Sequence, residues 1–478
     1  RTVQVKKFTY ALVLTNPSRY NKSNCHLSGW RKRGAQRMAM QEDGGQGMRK
    51  KRKTGLVLLA VIAMLAGSGC SRSVLNYQIA ECIGTLGEYE NNEPVETPKM
   101  KAAREQQESE SELESVKQEA LDAAAKLAKS YRYEEAIAYL QNTEELQGDA
   151  RLNEAIAEYE KKEGSLYQYT GDIPHFSFTN LVMDPTLAFD GDEYESVYRQ
   201  NMITATEFEN ILQALYDSNY ILIDIHSLAN ETASGSSVTM SAQAPTVPEG
   251  KKPMILSVDN LSYSSMRNGD GVATSLTVGA DGKVDAVYTD ADGHDQKGDY
   301  DVIPVLEAFI EAHPDFSFQG ARGIVSVAGA RGVFGYTIDG DNADNQKAVK
   351  EIAAALKDQG WTIASSGYSY EYMYDMSYET LSQDITNWLD QVGSLVGDSD
   401  TLLYPYGSEV DYGSEKGSYL INRGFRYLIG MWADGDHTEV NETYLRQTRR
   451  MVTGYVFENS PSSFSPYFDV SAILDPER

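Results

Sequence analysis

Four short segments hold the residues of this chain that could do chemistry, and each ends an apolar run: Ser257-Val258-Asp259-Asn260, Ala364-Ser365-Ser366-Gly367-Tyr368-Ser369-Tyr370, Tyr404-Pro405-Tyr406-Gly407 and Arg446-Gln447-Thr448-Arg449. The Asp259 carboxylate can accept a proton from water. Tyr368, Tyr370, Tyr372 and Tyr374 crowd the second segment, and such rings stack on C–H faces of the kind sugars present. Alternating tyrosines are also what a half-buried strand contains. Trp432, beyond the run Tyr427–Met431, is a comparable stacking candidate. Arg446 and Arg449 can each bind a hydroxyl or a carboxylate, or pair with one of the chain's many acids, and the ion pair is the slightly favoured reading. No segment contains a histidine. His175, His226, His294, His313 and His437 lie elsewhere, none at ligand-like spacing. His175 opens an apolar run and reads as structural. His226 follows one and could face the same mouth as the four segments, and His437 in a polar loop could serve as an acid.

The elements that must carry these segments are short apolar runs: His175–Met183, Tyr220–Ile225, Pro253–Val258, Gly323–Ala328, Thr362–Ser365, Thr401–Tyr404 and Tyr427–Met431. Amphipathic helices separate them, so the pattern is that of an α/β layer or barrel. One helix starts at Thr204, where Glu207 completes a capping box and Phe208, Ile211, Leu212 and Leu215 form the buried stripe. Another runs from Asn345 to Gln359 and stops at Gly360. Two insertions flank the strand that carries Asp259. Residues 232–250, rich in Ser, Thr and Ala, read as a mobile loop, and residues 272–299, with Asp281-Gly282 and Asp292-Gly293 turns, read as a hairpin. Insertions at strand ends of this kind shape access to a site.

Upstream, residues 101–163 are rich in charge and helix formers, and Leu127, Tyr131, Ala136, Ile137 and Leu140 recur at helical spacing. They resemble a single tetratricopeptide-type hairpin. No second copy follows, so a stalk or cap packed on the next domain is favoured over a peptide-binding array.

The chain of 478 residues carries a net charge of −27, but residues 1–53 hold 14 Lys/Arg against Glu42 and Asp43, leaving about −39 on the rest. That field disfavours nucleic acid and anionic lipid, and favours neutral or cationic ligands. Arg49–Lys53 precede an apolar run, Gly55–Ala66, which ends in Gly67-Ser68-Gly69-Cys70. This layout resembles an export signal of the bacterial lipoprotein type, with Cys70 as the acylated residue, although Gly67 stands where such signals prefer Leu. The run is too short to span a bilayer comfortably. The expected organisation is an upstream extension (1–47, with Met48 as a possible start), a signal (48–70), a flexible tether (71–100), a helical stalk (101–170) and an α/β barrel (171–470). The three cysteines, Cys25, Cys70 and Cys82, all precede the folded part, so no disulfide framework is expected there.

Over residues 172–458, the motifs resemble polysaccharide deacetylases of carbohydrate esterase family 4. The carriers are Phe178-Thr179-Asn180-Leu181, the run Asp184 to Asp192, His313-Pro314-Asp315-Phe316, the strand after Gly360-Trp361 and the four segments above. The resemblance implies a distorted, incomplete β/α barrel of the NodB-homology type. It also implies removal of acetyl groups from glycans by a divalent metal, usually zinc, held by one Asp and two His. Asp259 falls at the family's catalytic base. The metal-binding positions fall on Asn260, Ser366 and Tyr370, an amide, an alcohol and a phenol, so no metal cofactor is expected. The Tyr404-Pro405-Tyr406-Gly407 segment resembles the one that lines the groove and offers an oxyanion N–H near Tyr406, but Leu403 replaces its usual Arg. Arg446 to Arg449 resembles the late barrel segment without its general-acid His. The resemblance therefore implies a surface lipoprotein that binds cell-wall or capsular N-acetylated glycan without the usual hydrolysis, with Asp259, Tyr368, Tyr404, Pro405, Tyr406 and Arg446 as contacts. Two alternatives stand beside it: an active, divergent deacetylase with zinc or another divalent metal, and a structural envelope protein whose stalk docks a protein partner.

Overall fold

The computed structural model describes residues 96–143, 148–235, 237–264, 267–340 and 342–478. The upstream extension, the signal with Cys70 and nearly all of the tether lie outside the described residues. Among the described residues no helix is long and apolar enough to cross a membrane.

Among the described residues three helices come first: α1 (Pro98–Lys129), α2 (Tyr133–Gln141) and α3 (Ala150–Glu163). Ala120, Ala124, Tyr133, Ala136, Leu140, Leu152 and Tyr159 close a small core between them. Asp149 caps α3 through the Arg151 N–H and also takes the Lys117 ammonium at 2.8 Å. The α1–α2 corner rests on the barrel, where the Gln319 N–H donates to the Ser130 carbonyl and the Tyr131 ring meets Phe318.

The barrel strands are β1 (His175–Phe178), β2 (Tyr220–Leu222), β3 (Lys252–Val258), β4 (Ile324–Val327), β5 (Thr362–Ser365), β6 (Thr401–Leu403), β7 (Tyr427–Gly430), β8 (Thr438–Val440), β9 (Leu445–Thr448) and β10 (Arg450–Met451). Hydrogen bonding orders them β8-β9-β7-β6-β5-β4-β3-β1-β10, with β2 beside the start of β3. Every pair is parallel except β8–β9. Only Arg449 separates β9 from β10, so one stretch of chain pairs with β7 through its first half and with β1 through its second. The curled sheet is thus tied edge to edge through seven parallel positions, one short of a full eight-stranded barrel. All seven strands expected from the sequence are present, and the expected α/β incomplete barrel is the observed fold.

Side-chain parity assigns the two faces of this sheet. Leu256, Val258, Val325, Val327 and Ile363 face outward into a core shared with α4 (Ala205–Asp217), α5 (Val302–Ala312) and α6 (Ala343–Gln359). Leu402, Tyr404 and Leu428 do the same against α7 (Tyr378–Asn387) and α8 (Glu415–Asn422). Their alternates Ile255, Ile324, Ala364, Leu403, Ile429 and Leu445 point inward and pack on Ile223, Ile225 and Leu228, which stopper the lower end. The Thr204/Glu207 capping box and the left-handed Gly360 stop (φ 100°) form as the residues require.

Both insertions differ from the sequence reading, the second in having three strands where a hairpin was expected. Residues 232–250 are not a loop. Ala229–Ser234 pairs with Ser237–Ala242 as an antiparallel hairpin, and Thr246–Val247 pairs with Tyr167–Gln168. The hairpin stands clear of the core on most of its length, so its strands lack the apolar alternation that marks a buried one. Residues 273–298 form three antiparallel strands, with turns at the two Asp-Gly pairs.

Candidate functional site

The mouth lies where the C-terminal ends of β3, β5, β6 and β9 meet. Inward parity brings His175 and Ser177, Ser257 and Asp259, and Gln447 and Arg449 into two tiers below it. In the lower tier His175 Nδ1 lies 2.9 Å from Gln447 Oε1, its Nε2 lies 2.8 Å from Ser257 Oγ, and Ser257 reaches Ser177 at 2.8 Å. Complete burial pushes His175 down to about 3, so the ring is neutral and structural.

In the upper tier Arg449 is the central group. It is 2% exposed; Nη2 donates to Asp259 Oδ2 at 2.9 Å and to the Tyr404 carbonyl at 2.8 Å, while Nη1 donates to the Ile429 carbonyl at 2.9 Å. The guanidinium is held by three strands at once. Among the described residues its Nε–H has no partner, nor does the fully buried Ser366 hydroxyl. Six other buried side-chain atoms of the described residues share this state, among them Tyr404 Oη, Glu409 Oε1 and Gln359 Oε1, so it is not particular to the mouth.

The loops above are fixed from behind. The Asp301 carboxylate, 1% exposed, accepts from Asn180 Nδ2, Leu181 N–H, Tyr263 OH and Val302 N–H, tying together the loops after β1 and β3. The Asp384 carboxylate accepts from the Tyr368 and Ser369 N–H groups at 2.8 and 2.9 Å and fixes the loop after β5. Within these loops Asn260, Tyr370 and Tyr406 adopt left-handed backbone, with φ of 50°, 56° and 56°. That region costs a non-glycine residue roughly 1–2 kcal/mol, and such strain gathers at functional sites.

The rings follow from this backbone. Tyr370 meets Tyr406 edge-on at 5.0 Å between centroids, and Tyr406 stacks on Tyr372 at 4.4 Å with 19° between planes. Tyr372 is 50% and Tyr406 52% exposed. Burial, then the Asp259 charge, pushes the Tyr370 phenol well above its ordinary range.

The other sequence candidates are placed differently. Tyr404 is fully buried on the outer side of the wall, so only its carbonyl reaches the mouth. Pro405 is buried in the turn that presents Tyr406. Tyr368 packs on the core beneath Gly329, where a Cβ would come within 2.4 Å of its ring. Arg446, three residues from Arg449, faces the opposite side of the strand: it pairs with Glu409 at 2.7 Å and lies 3.9 Å over the Trp432 ring. These four side chains therefore do not line the mouth as ligand contacts. His226 sits at the lower end, between Asp224 and Asp400, and not at the mouth. His437 Nε2 is bonded to the Asp434 carbonyl. Sequence reading did not single out Asp301, Asp384 or Glu409. For the two aspartates the N-cap position of Asp301 before the run Val302–Ala312 was an available signal; Asp384 lies mid-helix and gave none.

The family positions do not fit a catalytic divalent metal. Asn260 Oδ1 is taken by the Ser262 hydroxyl, Ser366 offers a neutral hydroxyl, Tyr370 a phenol that resists ionisation, and Asp259 already holds a guanidinium. Among the described residues no three His, Cys, Asp or Glu side chains converge as a metal site.

No family model matches the chain. No curated protein matches it either. Among solved structures it is similar to the Streptococcus pyogenes deacetylase PplD in complex with acetate, at 13% identity and a TM-score of 0.37, over 63% of this chain and 99% of that one. It is also similar to a putative polysaccharide deacetylase from Mycobacterium smegmatis (16%, TM-score 0.21, 27% and 41% covered). A family 4 acetyl xylan esterase from Clostridium thermocellum in complex with a cobalt ion follows (16%, TM-score 0.17, 24% and 48% covered). The likeness is shallow, and the barrel assignment stands on strand order and register.

Proposed function

We propose that this chain is a cell-envelope lipoprotein, anchored through Cys70, that binds N-acetylated cell-wall or capsular glycan at the barrel mouth without metal-dependent hydrolysis. One observation carries the reading: the Asp259 carboxylate is bound by a buried, triply held guanidinium, Arg449, in a mouth whose remaining family positions are poor metal donors. An amide oxygen, an alcohol and a phenol bind zinc far less well than a carboxylate and two imidazoles. A fixed cation can still orient a polar substituent of a ligand, and Asp259 can accept from a hydroxyl. The acidic surface suits neutral or amino sugars.

The test is a paired assay on the purified chain with N-acetylglucosamine oligomers. Binding is expected to be unchanged by a chelator or by added zinc, with no acetate released. Chelator-sensitive acetate release would overturn the reading and restore the divergent deacetylase.

A further inference from the structure

Tyr370 stands where the resemblance puts a metal-binding histidine, and its ring is not idle. It is the inner step of a stair of three rings, Tyr370, Tyr406 and Tyr372, that climbs from beside Asp259 to solvent. The two outer rings overlap nearly parallel and are half exposed. Two of the three steps, Tyr370 and Tyr406, keep left-handed backbone that glycine would adopt more readily, so the ring positions are held against a local preference. At the foot of the stair lies the Arg449–Asp259 ion pair.

We propose that the Tyr370–Tyr406–Tyr372 stair is a saccharide subsite that takes the C–H face of an uncharged or N-acetylated pyranose. This rests on the glycan-binding reading above and adds where and how the sugar is held. The rings supply an apolar face with a polar rim, the surface that an amphipathic sugar ring matches. The charges beside Tyr406 are one acid, Glu371, and one base, Arg331, so the stair itself carries no net attraction for a carboxylated sugar, and the acidic chain around it repels one. Tyr370 thus carries the aromatic platform down to the ion pair.

Calorimetric titration of the full chain with the N-acetylglucosamine hexamer and the galacturonic acid hexamer tests this. The acetylated hexamer should bind, and the uronate should bind at least roughly tenfold more weakly. Tyr372→Ala and Tyr406→Gly should each lose roughly tenfold in affinity, while Tyr372→Phe keeps it. Tyr406→Gly should melt no lower than wild type, because glycine relaxes the φ of 56°; a residue kept for stability alone would behave in the opposite way. If wild type binds the acetylated hexamer and Tyr372→Ala and Tyr406→Gly bind it equally well, the stair is not the subsite and the glycan reading survives. If wild type binds neither hexamer, both fall. Equal affinity for the uronate overturns the assigned ligand class.

Discussion

The two ends of the barrel use ionisable groups in opposite ways. At the lower end His226 sits between Asp224 (2.6 Å) and Asp400 (3.2 Å), with its ring 4.3 Å from that of Tyr427. Burial disfavours its charge, but the two carboxylates outweigh it and hold the imidazole up at about 10. Both ring nitrogens are taken, and Ile223, Ile225 and Leu228 fill the space inside. A cavity of about 560 Å³ lies at this end, lined by His226, Lys357, Trp361, Asp400 and Arg423. At the mouth the buried ion pair leaves an N–H and a hydroxyl unpartnered, beneath strained loops and half-exposed rings. Shifted titrations occur at both ends, so they do not tell the two apart. The mouth differs in setting two half-exposed stacked rings, Tyr372 and Tyr406, above the buried Arg449–Asp259 pair.

The comparison breaks most sharply at Arg449. Arg449→Met strands the Asp259 carboxylate in a dry site and should cost roughly 3–5 kcal/mol in urea denaturation, with part recovered when Asp259→Asn is added. Recovery of nothing would mean that the guanidinium acts mainly through the two carbonyls. A smaller effect is expected at Glu409, on the outer wall near the mouth. Burial raises its carboxyl to about 7 despite Arg446, so the folded chain favours the protonated form. The contribution of Glu409 to stability is then full below the ordinary value of 4.5 and is lost as pH rises through 7, by roughly 3 kcal/mol. Glu409→Gln should flatten that decline when denaturation midpoints at pH 5 and pH 8 are compared with wild type.

Gly407 sharpens the contrast at the mouth, because its φ is +69° and an added Cβ would lie 2.5 Å from Met431 Cβ. Gly407→Ala should cost about 1–2 kcal/mol and also weaken glycan binding by shifting Tyr406. The smallest effect belongs to the lower end. The raised imidazole of His226 contributes stability below pH 6.5 that is lost as pH climbs toward 10. Since that side chain is 35% exposed, His226→Asn should remove only on the order of 1 kcal/mol and leave glycan binding untouched. A loss of binding there would erase the distinction between the two ends.

Much of the fold was legible because seven runs of apolar residues ended in turn or loop residues, and the helices between them had clear stripes and caps. Asp259 was legible as well, by its place at a strand end. What local pattern could not convey was facing. Tyr404 and Arg446 are one register step from Leu403 and Gln447, and parity turns both outward, away from the ligand side. Nor could the sequence say that Arg449, weighed only as one of two arginines, would meet Asp259, since 190 residues separate them. That meeting depends on the sheet curling until β9 and β10 span its two edges.

That span has a temporal consequence. Met451 pairs with Ser177, and Arg450 with Phe176, partners that lie at opposite ends of the barrel sequence. A nascent β1 emerges early and must wait, with one edge unpaired, until almost all of the barrel has been synthesised. Contacts so distant in sequence are the slowest to form, and a waiting strand edge is an invitation to mispairing. Refolding of this chain should therefore finish with the docking of residues 445–451, the same step that brings Arg449 to Asp259.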